Sequence, residues 1–271
     1  MMSLAHIDCV PVGGLCNRLR AMASVVQLAD DCRADVRFLW QIHPECAAPF
    51  DALFEALPRH NVAVISSKRL SLIHHPSRKR NGFLPAVLRR FRYDVQQQVE
   101  QECTDERLLE EICGAKKAFF LSGFSVYKHA PVRALFVPVP EIQRLIDSVR
   151  VDFAPTTIGL HIRRTDHDKS IAHNTIQDYV DFIQSTLERD AAVRFFLASD
   201  DYSVKNYLTT LFPGCILQTG AVLERSSLKG MQAAVVDLFS LAACSQVVGS
   251  YQSSYTDMAA ELGGIPLQIL S

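Results

Sequence analysis

An α/β fold with mostly parallel strands is predicted by three features of the sequence. Apolar runs of strand length alternate with amphipathic stretches of helix length from the first residues onward. Two prolines in VPVPEIQ (137–143) break that alternation, because neither a continuous helix nor a central strand tolerates them. The alternation then resumes, more cleanly, to the end of the chain. The prolines therefore mark a boundary between two α/β domains, residues 1–138 and 139–271, whose strand-end loops would line a shared cleft.

In the first domain HIDCVPV (6–12) reads as a strand, and the amphipathic NRLRAMASVVQLADDCR after GGLC reads as a helix leading to a strand at DVRFLW (35–40). That is one βαβ unit. NVAVIS (61–66) is a further strand, and AFFLSGF (118–124) has buried-strand character. Residues 67–117, with HHPSRKRNG and RRFRYDVQQQVEQE, are polar and basic and yield no element; their basic runs read as a solvated face, with an anionic glycolipid as the alternative. The second domain reads as strand TTIGLHIR, helix TIQDYVDFIQSTLERD, strand RFFLASD, helix YSVKNYLTTLF and strand CILQTG. It continues with helix LKGMQAAVVDLFSLAAC, strand QVVGSY, helix SSYTDMAAEL and strand PLQIL.

The 271 residues, 48% of them hydrophobic, are ample for a buried core. A net charge of -1 and a pI near 6.7 leave no global field to recruit nucleic acid or a membrane, so an anion must be bound locally. The chain has no apolar run long enough to span a bilayer, and its first residues lack a signal-peptide pattern; a soluble, cytoplasmic protein is expected. The eight cysteines lie in apolar contexts without CxxC or zinc-ligand spacing, which points to reduced core thiols.

Ligands of an open parallel sheet sit beyond the carboxyl ends of its strands. IGLHIRRTD ends in Arg163 and Arg164, and an arginine fork grips two phosphate oxygens at once; an ion pair with Asp166 is the structural alternative. FFLASDD ends in Asp200 and Asp201, an acidic pair of which one is expected to cap the next helix. Asp237 lies between Val236 and Leu238 in an apolar helix. Either it faces solvent, or it is buried against a donor such as the adjacent N1–H and N2–H of guanine. Ser250, Ser253 and Ser254 lead into a helix whose start is both a capping site and an anion site. VPVGGLCNRL is a glycine-bearing strand-to-helix turn without dinucleotide-fingerprint spacing. Gly14 admits close backbone approach there, and Asn17 stands at the helix start. His161, His167 and His173 lack zinc-like spacing, so no metal site is expected.

Taken together, GGLCNRL, GFSVYK, HIRRTD, FFLASDD and DLFSLAACSQVVGSYQSSYTDMAAELGG resemble the GDP-fucose-dependent fucosyltransferase superfamily. The superfamily spans α1,6- and α1,2-enzymes, a nodulation fucosyltransferase and the protein O-fucosyltransferases. The resemblance is strongest over residues 158–264, weaker over 9–40 and 118–128, and absent over 67–117.

The resemblance implies a GT-B-type architecture of two Rossmann-like α/β domains facing across a cleft, the first on the acceptor side and the second binding the GDP-sugar. It implies inverting transfer of fucose from GDP-fucose to a glycan or glycoconjugate hydroxyl, with no cofactor or metal required; another GDP-sugar, or binding without turnover, are the alternatives. Position by position, Arg163 matches the arginine that grips the β-phosphate and His161 a histidine lining the nucleotide pocket. Asp237 matches the carboxylate that recognises guanine, and Ser253 and Ser254 the serines of the phosphate-binding turn. Gly14 and Asn17 match the first-domain loop that approaches the pyrophosphate, and Asp200 the acidic residue closing the second motif. The family's acceptor base has no exact counterpart in HDKSIAHNT; Asp168 is the nearest carboxylate, with Asp166, His167 and His173 as alternatives. The acceptor and the oligomeric state are not legible.

Overall fold

The computed structural model of the protein describes residues 6–76, 83–102, 107–164, 175–220 and 225–270. Two compact units divide the chain: Met1–Val139 with Ser226–Leu228, and Pro140–Arg225 with Lys229–Ser271.

Each unit is built on a five-stranded parallel sheet. In the first, β1 (His6–Pro11), α1 (Leu15–Cys32), β2 (Asp35–Gln41), β3 (Val62–Ser67), α2 (Phe83–Arg90), β4 (Val95–Val99), α3 (Arg107–Gly114), β5 (Lys117–Ser122) and α4 (Val132–Leu135) follow in order. The strand order is β3-β2-β1-β5-β4. β1 is the central strand, buried from Ile7 to Pro11, because α1 packs on one face and other chain covers the second. On that second face Val10, Leu39, Tyr93, Phe119 and Leu121 pack with Leu70 and Ile73.

The region that is featureless by sequence pattern, 67–117, thus contains two helices, a strand and part of a core. The strand is VQQQV, an edge strand whose glutamines hide the usual apolar signature. Its basic run is not a uniformly solvated face either. Arg89 is buried, donating from Nε to Ile73 O (2.7 Å) and from Nη2 to His75 O (2.6 Å), with its guanidinium 4.3 Å from the centre of the Phe119 ring.

The second unit runs α5 (Pro140–Arg150), β6 (Ile158–Ile162), α6 (Ile176–Arg189), β7 (Phe195–Ser199), α7 (Tyr202–Leu211), β8 (Ile216–Leu217), α8 (Leu228–Ala242), β9 (Gln246–Gly249), α9 (Ser254–Gly263) and β10 (Leu267–Ile269). Its strand order is β10-β9-β6-β7-β8. β6 and β7 are buried along their whole length, and Tyr179, Ile183, Leu208 and Val248 join their Leu160 and Leu197 in one core. α6 begins where the sequence places it: Thr175 caps the helix by accepting from Asp178 N–H, and Asp178 Oδ2 accepts in return from Thr175 N–H (2.6 Å).

Among the described cysteines, Cys9, Cys16, Cys46 and Cys244 are core thiols as expected, whereas Cys113 is exposed and Cys32 and Cys215 are half-buried. Cys103 lies outside the described residues.

Candidate functional site

Strand order locates the site in each unit. In the second, the chain runs β6, β7, β8 outward and then returns to the other side of β6 with β9, so the order reverses between β6 and β9. Loops after adjacent strands diverge at such a point and leave a crevice beyond their carboxyl ends. His161, the penultimate residue of β6, and Ser250–Ser254, between β9 and α9, stand at that reversal.

His161 is buried there. Its Nδ1 lies 2.7 Å from Thr256 Oγ1, and its ring stacks on Tyr255 with centroids 4.7 Å apart. Tyr255 in turn donates from its hydroxyl to Ala234 O on α8 (2.6 Å). Gly249 makes this close approach of α9 possible, since a Cβ at that position would stand 2.0 Å from Thr256 Cγ2. Burial lowers the His161 pKa to about 4, with Arg163 and Arg225 acting in the same direction and Asp200 opposing them. The ring is therefore neutral at pH 7.

That shift has a stability consequence. Between the ordinary histidine value near 6.5 and about 4 the unfolded chain takes up a proton that the folded ring refuses, so the contribution is intact above 6.5 and is lost as pH falls through this window. Chemical denaturation of the protein at pH 7 and pH 4 should show a loss on the order of 3 kcal/mol that His161→Asn diminishes. An unchanged pH dependence in the variant would contradict it.

β6 ends at Ile162, so Arg163 and Arg164 leave the strand rather than alternating along it. Their backbones are pinned: Arg163 N–H donates to Ser250 Oγ (3.0 Å) and Arg164 N–H to Asp200 Oδ1 (2.8 Å). Ser250 Oγ donates onward to His161 O (3.2 Å), and the Tyr179 hydroxyl lies 3.3 Å from Ser250 Oγ. Asp200 Oδ2 is also 3.8 Å from Arg225 Nη2. Its neighbour Asp201 caps α7, accepting from Ser203 N–H at 2.7 Å. The acidic pair thus divides into one residue that orients the arginine loop and one cap.

At the start of α9, Ser253 is 1% exposed, and its Oγ has no hydrogen-bond partner among the described residues; as the N-cap residue it makes no side-chain capping bond. Ser254 opens the helix and is half-buried. A buried hydroxyl at a helix N-terminus is free to donate to an anion, which backbone N–H groups and the helix dipole favour at the same place.

Asp237 is buried, which excludes a solvent-facing helix position. Its Oδ1 accepts from Thr219 Oγ1 (2.6 Å), and Oδ2 lies 3.9 Å from Lys205 Nζ, itself buried without a hydrogen-bond partner among the described residues. Burial pushes the Asp237 carboxyl above the usual carboxylate range, while Lys205 and Thr219 pull it back. Lys205 and Thr219 carry no recognisable motif and escape a reading by sequence. Thr256, three residues after Ser253, has the spacing of a first-turn contact and was open to one.

The first unit reverses strand order between β1 and β5. The crevice there is a cavity of about 420 Å³ lined by Gly13, Asn17, Gln41, Glu45, Glu100 and Phe124 among others. Gly13 turns the chain with φ +83°, and a Cβ at Gly123 would stand 2.9 Å from Val12 O, so these glycines let the two loops close up. Gly14 is the N-cap of α1, and a Cβ there would meet no atom within 4 Å. Arg18 holds the turn: it is buried, donates to Gly13 O (2.8 Å) and Gln41 O (2.6 Å), and lies 4.8 Å from the centre of the Trp40 ring.

Asp168, Asp166, His167 and His173 lie outside the described residues. Among the described residues there is no cluster of three or more His, Cys, Asp or Glu side chains fit for a metal ion, and no helix is long and apolar enough to cross a membrane.

Two parallel-sheet α/β units, each with its crevice at the strand-order reversal, define the GT-B type of architecture. No protein-family model and no curated protein matches the chain. Solved structures do: it is similar to the fucosyltransferase NodZ from Bradyrhizobium, with 19% identity over 94% of this chain and 92% of that one and a TM-score of 0.62. It is also similar to a mutant of FUT1 from Arabidopsis thaliana in complex with GDP (13% identity, 98% of this chain and 70% of that one, TM-score 0.63) and to apo POFUT1 (12%, 100% and 99%, TM-score 0.61). At these identities the likeness is one of fold.

Proposed function

We propose that the protein is a glycosyltransferase that uses a GDP-sugar, with fucose as the sugar, and transfers it with inversion to a glycan or glycoconjugate hydroxyl. The observation that carries this reading is the buried Ser253 Oγ, without a partner among the described residues, at the N-terminus of α9, beside the Arg163 loop and at the reversal of strand order. Among the neighbours in fold, NodZ has been soaked with GDP-fucose and FUT1 and POFUT1 have been crystallised with GDP.

In this reading the diphosphate sits between the Arg163 guanidinium and the start of α9, with Ser253 and Ser254 donating to its oxygens. Asp237 accepts from guanine N1–H and N2–H, and neutral His161 lines the pocket. Asp200 acts at one remove by fixing Arg164. In the first domain, residues 1–138, Gly14 and Asn17 are proposed as donor-binding residues, and the cavity bearing Asn17, Gln41 and Glu45 as the acceptor seat. The acceptor oxygen attacks the anomeric carbon as the bond to the diphosphate breaks, and its proton passes to a base, for which Asp168 is proposed. Charge builds on the leaving diphosphate, where Arg163 and the helix start do the work otherwise given to a metal ion. No cofactor enters this scheme, and a cytoplasmic location fits a nucleotide-sugar donor.

Calorimetric titration with GDP, UDP and ADP, with and without magnesium, tests it. Micromolar binding of GDP, indifferent to magnesium and with UDP and ADP far weaker, is expected, and Asp237→Ala should erase the preference for GDP over UDP. Equal loss for both nucleotides would refute the guanine contact; no binding of any nucleotide by folded protein would refute the nucleotide site. GDP binding without turnover of any acceptor or donor would favour a binding protein, and turnover of a different GDP-sugar would replace fucose.

A further inference from the structure

α2 is a short helix whose inner side is locked and whose outer side is apolar. Arg89 fixes its rotation through the bonds to Ile73 O and His75 O and the contact with the Phe119 ring, and Pro85 is buried as well. That rotation turns Leu84 and Val87 outward, at positions i and i+3 with exposures of 50 and 45%, and Phe91, in the turn that follows the helix, is 87% exposed. Leu72, 45% exposed, belongs to the 3-10 turn packed against α2.

The rim of this patch is basic. Arg90 and Arg92 are exposed on either side of Phe91 in the chain. Asp94, the nearest acidic residue in sequence, is engaged by the backbone N–H groups of Lys116 and Lys117 at 2.8 and 2.9 Å. Docking a second copy patch to patch would set these arginines against one another. An aromatic ring at the tip, aliphatic side chains behind it and guanidinium groups at its edge match the interface of a bilayer that carries negative headgroups.

We propose that the outer face of α2 is a peripheral docking surface for anionic membranes, with Phe91 entering the interface and Arg90 and Arg92 meeting the headgroups. Nothing in the nucleotide site is needed for it. The surface would place the protein beside a membrane.

Co-sedimentation of the full chain with phosphatidylcholine vesicles, with and without 30% phosphatidylglycerol, tests the proposal. Binding to the anionic vesicles alone is expected, weakened by 0.5 M salt and lowered at least tenfold by Phe91→Ser and by Arg90→Gln with Arg92→Gln. Because these side chains are exposed, the variants should keep the parent melting temperature. Three results would overturn the proposal: no vesicle binding, binding that both variants leave intact, or a self-association in sedimentation velocity that Phe91→Ser abolishes in place of vesicle binding.

Discussion

Arg163→Ala should abolish GDP binding in calorimetry and lower turnover by about 10²- to 10³-fold, the range for loss of one donor to a developing negative charge. The melting temperature of the ligand-free protein should barely move. Arg163 is held by its backbone N–H to Ser250 Oγ, a bond that truncation of the side chain preserves, and it stands beyond the end of β6, past the buried run. Arg163→Lys should restore part of the binding but little of the rate, because an ammonium meets a diphosphate as a point charge and loses the planar fork. A steep fall in the apo melting temperature would make Arg163 a structural residue. Unimpaired GDP binding would remove it from the nucleotide site.

The largest effect on stability is expected at the opposite kind of position, a carboxylate inside the first unit's sheet. Asp8 is 1% exposed and takes two bonds from Arg37, at 2.7 and 2.8 Å, and one from the Tyr93 hydroxyl at 2.5 Å. His6 Nε2 lies 3.0 Å from Oδ1, and His74 Nε2, itself 2.7 Å from the Tyr93 hydroxyl, lies 3.6 Å from Oδ2. Burial by itself would raise the Asp8 carboxyl, but the bonds from His74, Arg37 and Tyr93 together hold it well below the usual carboxylate range. Asp8→Ala leaves the Tyr93 hydroxyl and one side of the guanidinium without their acceptor. It should cost about 3 kcal/mol in chemical denaturation, the lower end for breaking a buried pair because Arg37 is one-third exposed.

The pH dependence follows from the same shift. A depressed carboxyl contributes its full stability above the unfolded value near 4 and loses it as pH falls toward the folded value, so part of the contribution should persist at pH 2. Asp8→Ala should flatten the acid limb of the stability profile. A cost below 1 kcal/mol, or an acid limb identical to the parent, would mean that desolvation cancels the bonds.

The two residues differ in how far a sequence reveals them. Arg163 ends an apolar run, and a charged residue at the carboxyl end of a strand stands out against the core pattern. Asp8 stands in HIDCVPV with no local feature to explain it, because its partners Arg37 and Tyr93 are 29 and 85 residues away. Asp237 falls between these cases: its place in an apolar helix was visible, but burial or exposure depended on whether Lys205 and Thr219 came to face it.

The sequence by itself determined the succession of strands and helices in the second unit, the arginine loop, the acidic cap and the serine-bearing helix start, because each is a local pattern of period, cap or turn. Tertiary structure alone decided the strand orders, and with them the reversal points where the crevices open, because a parallel strand does not encode its neighbours. It also decided the helices and edge strand of 67–117, where glutamines and arginines obscure the hydrophobic period until packing shows that Arg89 lies over Phe119 and is no surface charge.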